Sequence, residues 1–295
     1  MGKLLDLLAD KRLVLSDGAW GTMLQDRGLK PGECPELWNM DRAAEVEAIA
    51  RAYVDAGSEM ILTNTFGGSR YKLAKYTLAD RAAEIVAAGV GLSRAASGGR
   101  ALVAVSVGPT GEFLEPYGDE TEEDMLAAFG EQIAAAAGAG ADVVCVETMT
   151  SAEEAALAVR AAKTVAPELD VVATMTFDPG RNGFRTMMGV DVRRAAEALA
   201  AAGADVLGAN CGNGMEQMTI VIREYAGATG KPLLAHVNAG VPRLVDGRTV
   251  FGESPESLAF GVPALVAAGA RIVGGCCGTT PAHIQAMGRE LDRLR

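Results

Sequence analysis

Gly203-Ala204-Asp205-Val206-Leu207-Gly208-Ala209-Asn210-Cys211 is the stretch on which the fold turns. It opens on a glycine able to take the left-handed conformation that closes a helix, and it runs through apolar residues for the length of a strand. It ends on an amide and a thiol. The same opening recurs at Ala56-Gly57, Gly140-Ala141-Asp142 and Gly269-Ala270-Arg271, each after an Ala-rich segment of helical period and before an apolar run. Working outward, eight such runs are candidate strands: Leu13–Ser16, Met60–Thr65, Ala101–Val107, Asp142–Glu147, Asp170–Phe177, Asp205–Asn210, Pro232–Asn238 and Arg271–Gly275. Short strands alternating with long helices predict parallel strands and crossover helices, and eight of them predict an α/β fold of the (β/α)8 TIM barrel type. An open doubly wound sheet has about six strands and a glycine-rich phosphate turn after the first. The first turn here, Asp17-Gly18-Ala19-Trp20-Gly21, lacks that spacing.

Composition agrees with a barrel. The 295 residues are 49% hydrophobic, enough to bury a large core, and no linker divides them, so residues 1–295 are read as one domain. Ser151 with Glu154 predicts a capping box, and Thr280-Pro281 predicts a helix start. Asp6 interrupts what a secretory leader would need as an apolar core, and no apolar run is long enough to span a bilayer, so a cytoplasmic, membrane-free protein is expected. A net charge of −11 without a Lys/Arg-rich run argues against nucleic acid as a partner. Five cysteines, an odd number, fit reduced thiols better than a disulfide framework.

In a barrel of this type the carboxyl ends of the strands build the site. The residues there are polar or sulfur-bearing: Asp17-Gly18 after strand one, Asn64-Thr65 after strand two, Glu147 after strand four, Asn210-Cys211 after strand six, Asn238 after strand seven and Cys276-Cys277 after strand eight. Cys211, Cys276 and Cys277 together would give three thiolates around zinc and leave a fourth position open, the mark of a catalytic metal site. The competing reading of a cysteine is a small buried hydrophobe, which is assigned to Cys145 within an apolar strand and to Cys34 in a loop. A thiol entering the open zinc position becomes a thiolate at neutral pH and hence a sulfur nucleophile. An amino-acid substrate would need its ammonium neutralised, and Glu147 or Asp17 is placed to do so. For Asp17 the alternative of bonding its own turn stays open.

His236 inside strand seven is expected to be a hydrogen-bonded interior residue, and His283 belongs to the first turn of the last helix. Trp20, Trp38, Phe66, Phe113 and Tyr117 follow strands one to three and are read first as packing residues, with a cage for a cationic methyl donor as the sharper alternative.

The runs Asp17-Gly18-Ala19-Trp20-Gly21-Thr22, Asn64-Thr65-Phe66, Gly108-Pro109-Thr110-Gly111-Glu112, Asn210-Cys211-Gly212, Asn238-Ala239-Gly240 and Gly274-Gly275-Cys276-Cys277-Gly278-Thr279-Thr280-Pro281 together resemble the homocysteine S-methyltransferase family across nearly the whole chain. The resemblance implies a (β/α)8 barrel, zinc on Cys211, Cys276 and Cys277, and homocysteine held through Asp17, Gly18 and Glu147. Pro35-Glu36-Leu37-Trp38-Asn39 and Thr186-Met187-Met188-Gly189-Val190 look most like the bacterial betaine-type members, and the stretch around Gly108–Gly118 is similar to the homocysteine module of cobalamin-dependent methionine synthase. Gly67 stands where the animal betaine enzymes carry a tyrosine that completes the zinc shell, and Glu33 or Cys34 stands where they carry a tryptophan against betaine. The expected partners are therefore homocysteine and a small methyl donor, a betaine or sulfonium compound. The alternatives are methylcobalamin carried by a separate corrinoid protein, a binding subunit with little activity, and a phosphate-handling barrel suggested by Gly274-Gly275. The number of subunits is open, a homo-oligomer included.

Overall fold

The computed structural model describes residues 2–181, 183–212, 214–245 and 248–295. Eight strands, β1 (Val14–Leu15), β2 (Met60–Leu62), β3 (Leu102–Val107), β4 (Val143–Met149), β5 (Asp170–Met175), β6 (Val206–Asn210), β7 (Leu233–Val237) and β8 (Ala270–Gly275), form one sheet in the order β1-β8-β7-β6-β5-β4-β3-β2. Every ladder in it is parallel. The last seam, between β1 and β2, is drawn together by the Glu59 amide donating to the Leu15 carbonyl at 2.8 Å and by the Leu15 amide donating to the Glu59 carboxylate at 2.9 Å. The barrel is thus nearly closed, and all eight expected strands are present.

Strand side chains alternate between two cores, as the period of two requires. Met60, Leu62, Val143, Cys145, Val172, Val206, Leu234 and Ile272 fill the barrel interior. Ile61, Val144, Val171, Leu207 and Val273 face outward and pack beneath the surrounding helices. Cys145 is therefore one of the small hydrophobes of the interior, and Cys34 is buried beside Leu73, Ala82 and Ile85, as expected for both.

The helices stop where the repeat predicted. Gly57, Gly140, Gly203 and Gly269 all have positive φ, between 92° and 123°. An amino-terminal helix, α1 (Lys3–Lys11), closes the floor: Leu4 joins the interior core, and the amides of Leu4 and Leu5 donate to Asp170 Oδ2 at 2.8 and 3.0 Å. The predicted capping box at Ser151 is only half made. The Ser151 hydroxyl accepts from the Glu154 amide, but the Glu154 carboxylate reaches across to the Thr110 amide and hydroxyl at 2.7 Å, a buried pair of donors that outbids a local bond. Among the described residues no helix is long and apolar enough to cross a membrane.

Candidate active site

The thiol cluster is assembled by two strand ends. Cys211 follows β6 with φ +61°, a left-handed conformation that a non-glycine residue adopts only under constraint, and Cys276-Cys277 follow β8. The Cys211 amide donates to the His236 carbonyl at 3.2 Å and the Cys276 amide to the Val237 carbonyl at 2.8 Å, so strand β7 holds both ends in place. The three Sγ atoms lie within 4.8 Å of one another, with Cys211 and Cys277 at 3.8 Å.

Crowding the thiols splits their acidity. Hydrogen bonds from the Cys276 and Cys277 thiols push Cys211 down to about 3. The same bonds to the Cys211 thiolate, with burial, hold Cys276 well above the ordinary thiol value and push Cys277 up to about 12. One proton leaves easily, while the second and third resist because each would place another negative charge beside the first. A set of this kind becomes three thiolates only around a cation, and three soft sulfur ligands with room for a fourth suit zinc.

The approach of β8 to β1 depends on bare backbone. A Cβ on Gly274 would sit 2.8 Å from the Asp17 carbonyl oxygen, and one on Gly275 would sit 2.2 Å from Thr279 Oγ1. The Gly275 amide donates to the Asp17 carbonyl at 2.8 Å, and Thr279 donates to the Cys276 carbonyl at 2.7 Å while accepting from the Ala19 amide at 3.1 Å. Thr279 thereby ties the cysteine pair to the loop after β1.

Glu147 comes from the end of β4. Its Oε1 accepts from the Ser106 hydroxyl, and its Oε2 from Asn210 Nδ2 at 3.4 Å. Burial raises its pKa to about 7, against the bond from Ser106 and with help from the nearby charges of Asp17 and Cys211. Asn210 is the joint of the site. It accepts from the Thr148 amide at 2.8 Å and from the Thr174 hydroxyl at 2.7 Å, donates to Thr148 Oγ1 at 2.7 Å, and lies 3.9 Å from Cys276 Sγ. Thr148 and Cys211, its two neighbours in this network, both have left-handed φ near +60°.

Asp17 is buried and raised to about 7 by that burial. Its Oδ2 accepts from Trp20 Nε1 at 3.0 Å and from the Leu62 amide at 2.7 Å, and its Oδ1 accepts from the Ser16 hydroxyl at 3.4 Å. It bonds neighbouring segments, and not only its own turn.

A cavity of about 360 Å³ opens above these groups, lined among others by Gly18, Trp20, Glu36, Phe66, Glu147 and the three cysteines. Of the sequence-predicted residues, Cys211, Cys276, Cys277, Glu147 and Gly18 border it, while Asp17 stands behind its wall. Of the five aromatics, Trp20 and Phe66 line the cavity. Trp38 is buried under the Arg42 guanidinium, 4.8 Å from its ring centre, and Phe113 and Tyr117 are exposed. His236 is an interior residue, as expected, and also lines the cavity, but its Nε2 has no hydrogen-bond partner among the described residues. Burial pushes it down to about 4, so it is neutral at physiological pH. His283 caps the last helix, Pro281–Leu294: Nδ1 accepts from the Thr280 amide at 3.1 Å, so Nε2 donates to the Glu253 carbonyl at 3.0 Å. Ser106 and Glu36 belong to the site without having been given a place in it by sequence, and Asn210 was noted there without a role. For Asn210 the signal was its place at a strand end.

The chain matches the homocysteine S-methyltransferase family over residues 14–291. It is 30% identical to methionine synthase of Mycobacterium tuberculosis over 99% of its own length, and spans about a quarter of that relative, 26%. The crystal structure of the homocysteine methyltransferase MmuM from Escherichia coli in its metallated form superposes with a TM-score of 0.79 at 26% identity, covering 97% of this chain and 99% of the other. The carboxyl transferase domain of Rhizobium etli pyruvate carboxylase, at 17% identity, TM-score 0.54, 99% of this chain and 49% of the other, shares the fold alone. With the family matched across nearly all of the barrel, the chain belongs to the homocysteine S-methyltransferase family.

Proposed function

We propose that the protein forms methionine from homocysteine, with zinc held by Cys211, Cys276 and Cys277 and a betaine or sulfonium compound as methyl donor. The observation that carries this reading is the convergence of three thiols within 4.8 Å on one wall of a cavity that also holds a buried carboxylate, Glu147. A metallated form of the E. coli homocysteine methyltransferase lends support to the metal.

Zinc, when bound, supplies the positive charge that keeps a thiol at its open position in the thiolate form at neutral pH. The chain does the rest by placement. Glu147 takes the substrate ammonium, Asp17 behind the wall adds negative charge to that side of the cavity, and the backbone at Gly18 borders it. The homocysteine sulfur then attacks the methyl carbon. A new sulfur–carbon bond forms, the bond from methyl to the onium centre breaks, and its electron pair stays on the former onium atom, which leaves uncharged within the donor remnant. The thiol proton goes to solvent. Alignment of nucleophile, methyl and leaving group supplies most of the rate enhancement.

A second reading, methyl transfer from methylcobalamin on a separate corrinoid protein, is favoured by the identity to a segment of methionine synthase. Mass-spectrometric detection of methionine across betaine, sulfonium and methylcobalamin donors, the last with and without a corrinoid protein, separates the two. The first reading expects turnover with an onium donor alone, and turnover only with the corrinoid protein would replace it.

A further inference from the structure

The cavity wall opposite in chemistry to the thiols contains a carboxylate that the reaction as described does not use. Glu36 lies in the loop after β1, 5% exposed, and borders the cavity. Its Oε1 accepts from the Gly67 amide at 2.7 Å, and the Cys34 thiol reaches Oε2 at 3.6 Å. No ion pair satisfies it among the described residues. Lys72 alone exerts a favourable charge on it, and burial raises its pKa regardless. A buried carboxylate without a cation costs several kcal/mol if ionised, and it persists in a fold when a ligand supplies the missing charge.

Gly67 makes room for this arrangement. A Cβ there would stand 2.9 Å from Glu36 Oε1, so a side chain at 67 and the Glu36 carboxylate compete for one space. Glu147 and Glu36 are the two carboxylates that line the cavity; the ammonium of homocysteine goes to Glu147, which leaves Glu36 open to a second cation, the donor.

We propose that Glu36 is the anionic contact of the methyl donor, and that the donor is accordingly a small cationic onium compound seated against the wall formed by Glu36, Phe66 and Trp20. This rests on the homocysteine methyltransferase reading and names the substrate class and contact of the same cavity. The contact has a definite kinetic signature. As the methyl group leaves, the onium centre loses its charge, so Glu36 attracts the bound donor more than the transition state or the demethylated remnant. It lowers the donor KM, does not raise kcat, and lets the remnant go.

Glu36→Gln keeps an oxygen for the Gly67 amide and removes only the charge, with Glu36→Ala as a second variant. Calorimetry on zinc-loaded protein, with and without homocysteine, would measure binding of glycine betaine, of a dimethylsulfonium carboxylate and of the thioether carboxylate left when the latter loses a methyl group, which lacks only the onium charge and that methyl. Wild type is expected to bind one onium at least about tenfold more tightly than the thioether, and Glu36→Gln to bind the two alike, with a tenfold higher donor KM and kcat unchanged or higher. The two onium arms distinguish sulfonium from quaternary ammonium. The inference is overturned if neither onium binds wild type, or if Glu36→Gln and Glu36→Ala bind onium as wild type does. Zinc content and homocysteine affinity, recorded in the same samples, report on the enzyme reading separately: if both hold while onium binding ignores Glu36, only the donor contact is wrong.

Discussion

At the floor of the barrel Asp142 receives Lys3 Nζ at 2.5 Å, Arg94 Nη1 at 3.0 Å and the Val103 amide at 3.0 Å. At the mouth Glu147, Asp17 and Glu36 are as deeply buried, yet among the described residues none has an ion pair. The same kind of side chain at comparable depth is neutralised by the chain at one end and left to hydroxyls and amides at the other. A fold gains from closing its charges internally, and a site needs charges that a ligand can close. The floor stabilises, and the mouth waits.

Three substitutions test that division. The largest effect is expected at the mouth from Cys276→Ala, which leaves two sulfurs: zinc content should fall toward zero and methionine formation by about a thousandfold or more, read by metal analysis and product detection. A variant with full activity and no metal would break the comparison at its root. Next comes Glu147→Gln, expected to raise the homocysteine KM on the order of 100-fold, about 2 to 3 kcal/mol for a charge-assisted bond to an ammonium, while zinc stays bound.

The same variant has a pH signature in the ligand-free protein. Because Glu147 is raised to about 7 from an ordinary 4.5, the folded state holds a proton that the unfolded state has lost between those values, so the residue lowers stability progressively as pH rises through that window. Glu147→Gln should therefore melt higher than wild type at pH 8, by at most about 3 kcal/mol, and the two should converge near pH 4. Equal melting temperatures at both pH values would show that the mouth is not holding uncompensated charge.

The smallest effect on activity is expected at the floor. Asp142→Asn keeps an acceptor for the Val103 amide but loses its two cations, one of them largely exposed, and should cost about 1 to 2 kcal/mol, a drop of a few degrees in melting temperature. Turnover per folded molecule should remain within about twofold. A large loss of kcat/KM there would mean that the two ends are coupled.

Strand count, helix stops and the thiol trio were legible because each is written in local pattern: a short apolar run, a glycine after a helix, a cysteine at a strand end. The strand limits were not. Met60–Thr65 shortens to β2 because the Thr65 amide turns back to the Thr63 carbonyl at 2.9 Å, whereas β4 runs two residues beyond Glu147 to Met149. The plug formed by α1 was also invisible, since Leu4 is an unremarked leucine until the barrel floor surrounds it. Asn210 and Ser106 acquire their roles from strands that are distant in the chain, and a small polar residue carries no mark of the partner it will meet. Glu36 is the plainest case: its importance depends on Gly67, 31 residues away, having no side chain.

The tight seam between β8 and β1 restricts how such an enzyme can be altered. Gly18, Gly274 and Gly275 each meet an atom at or within 2.8 Å of where a Cβ would be, so the segments delivering Cys276 and Cys277 have no position to spare for a new side chain. The loops that carry Glu36 and Gly67 border the same cavity without that seam, so under the proposed donor contact a mutagenesis library aimed at donor range belongs there.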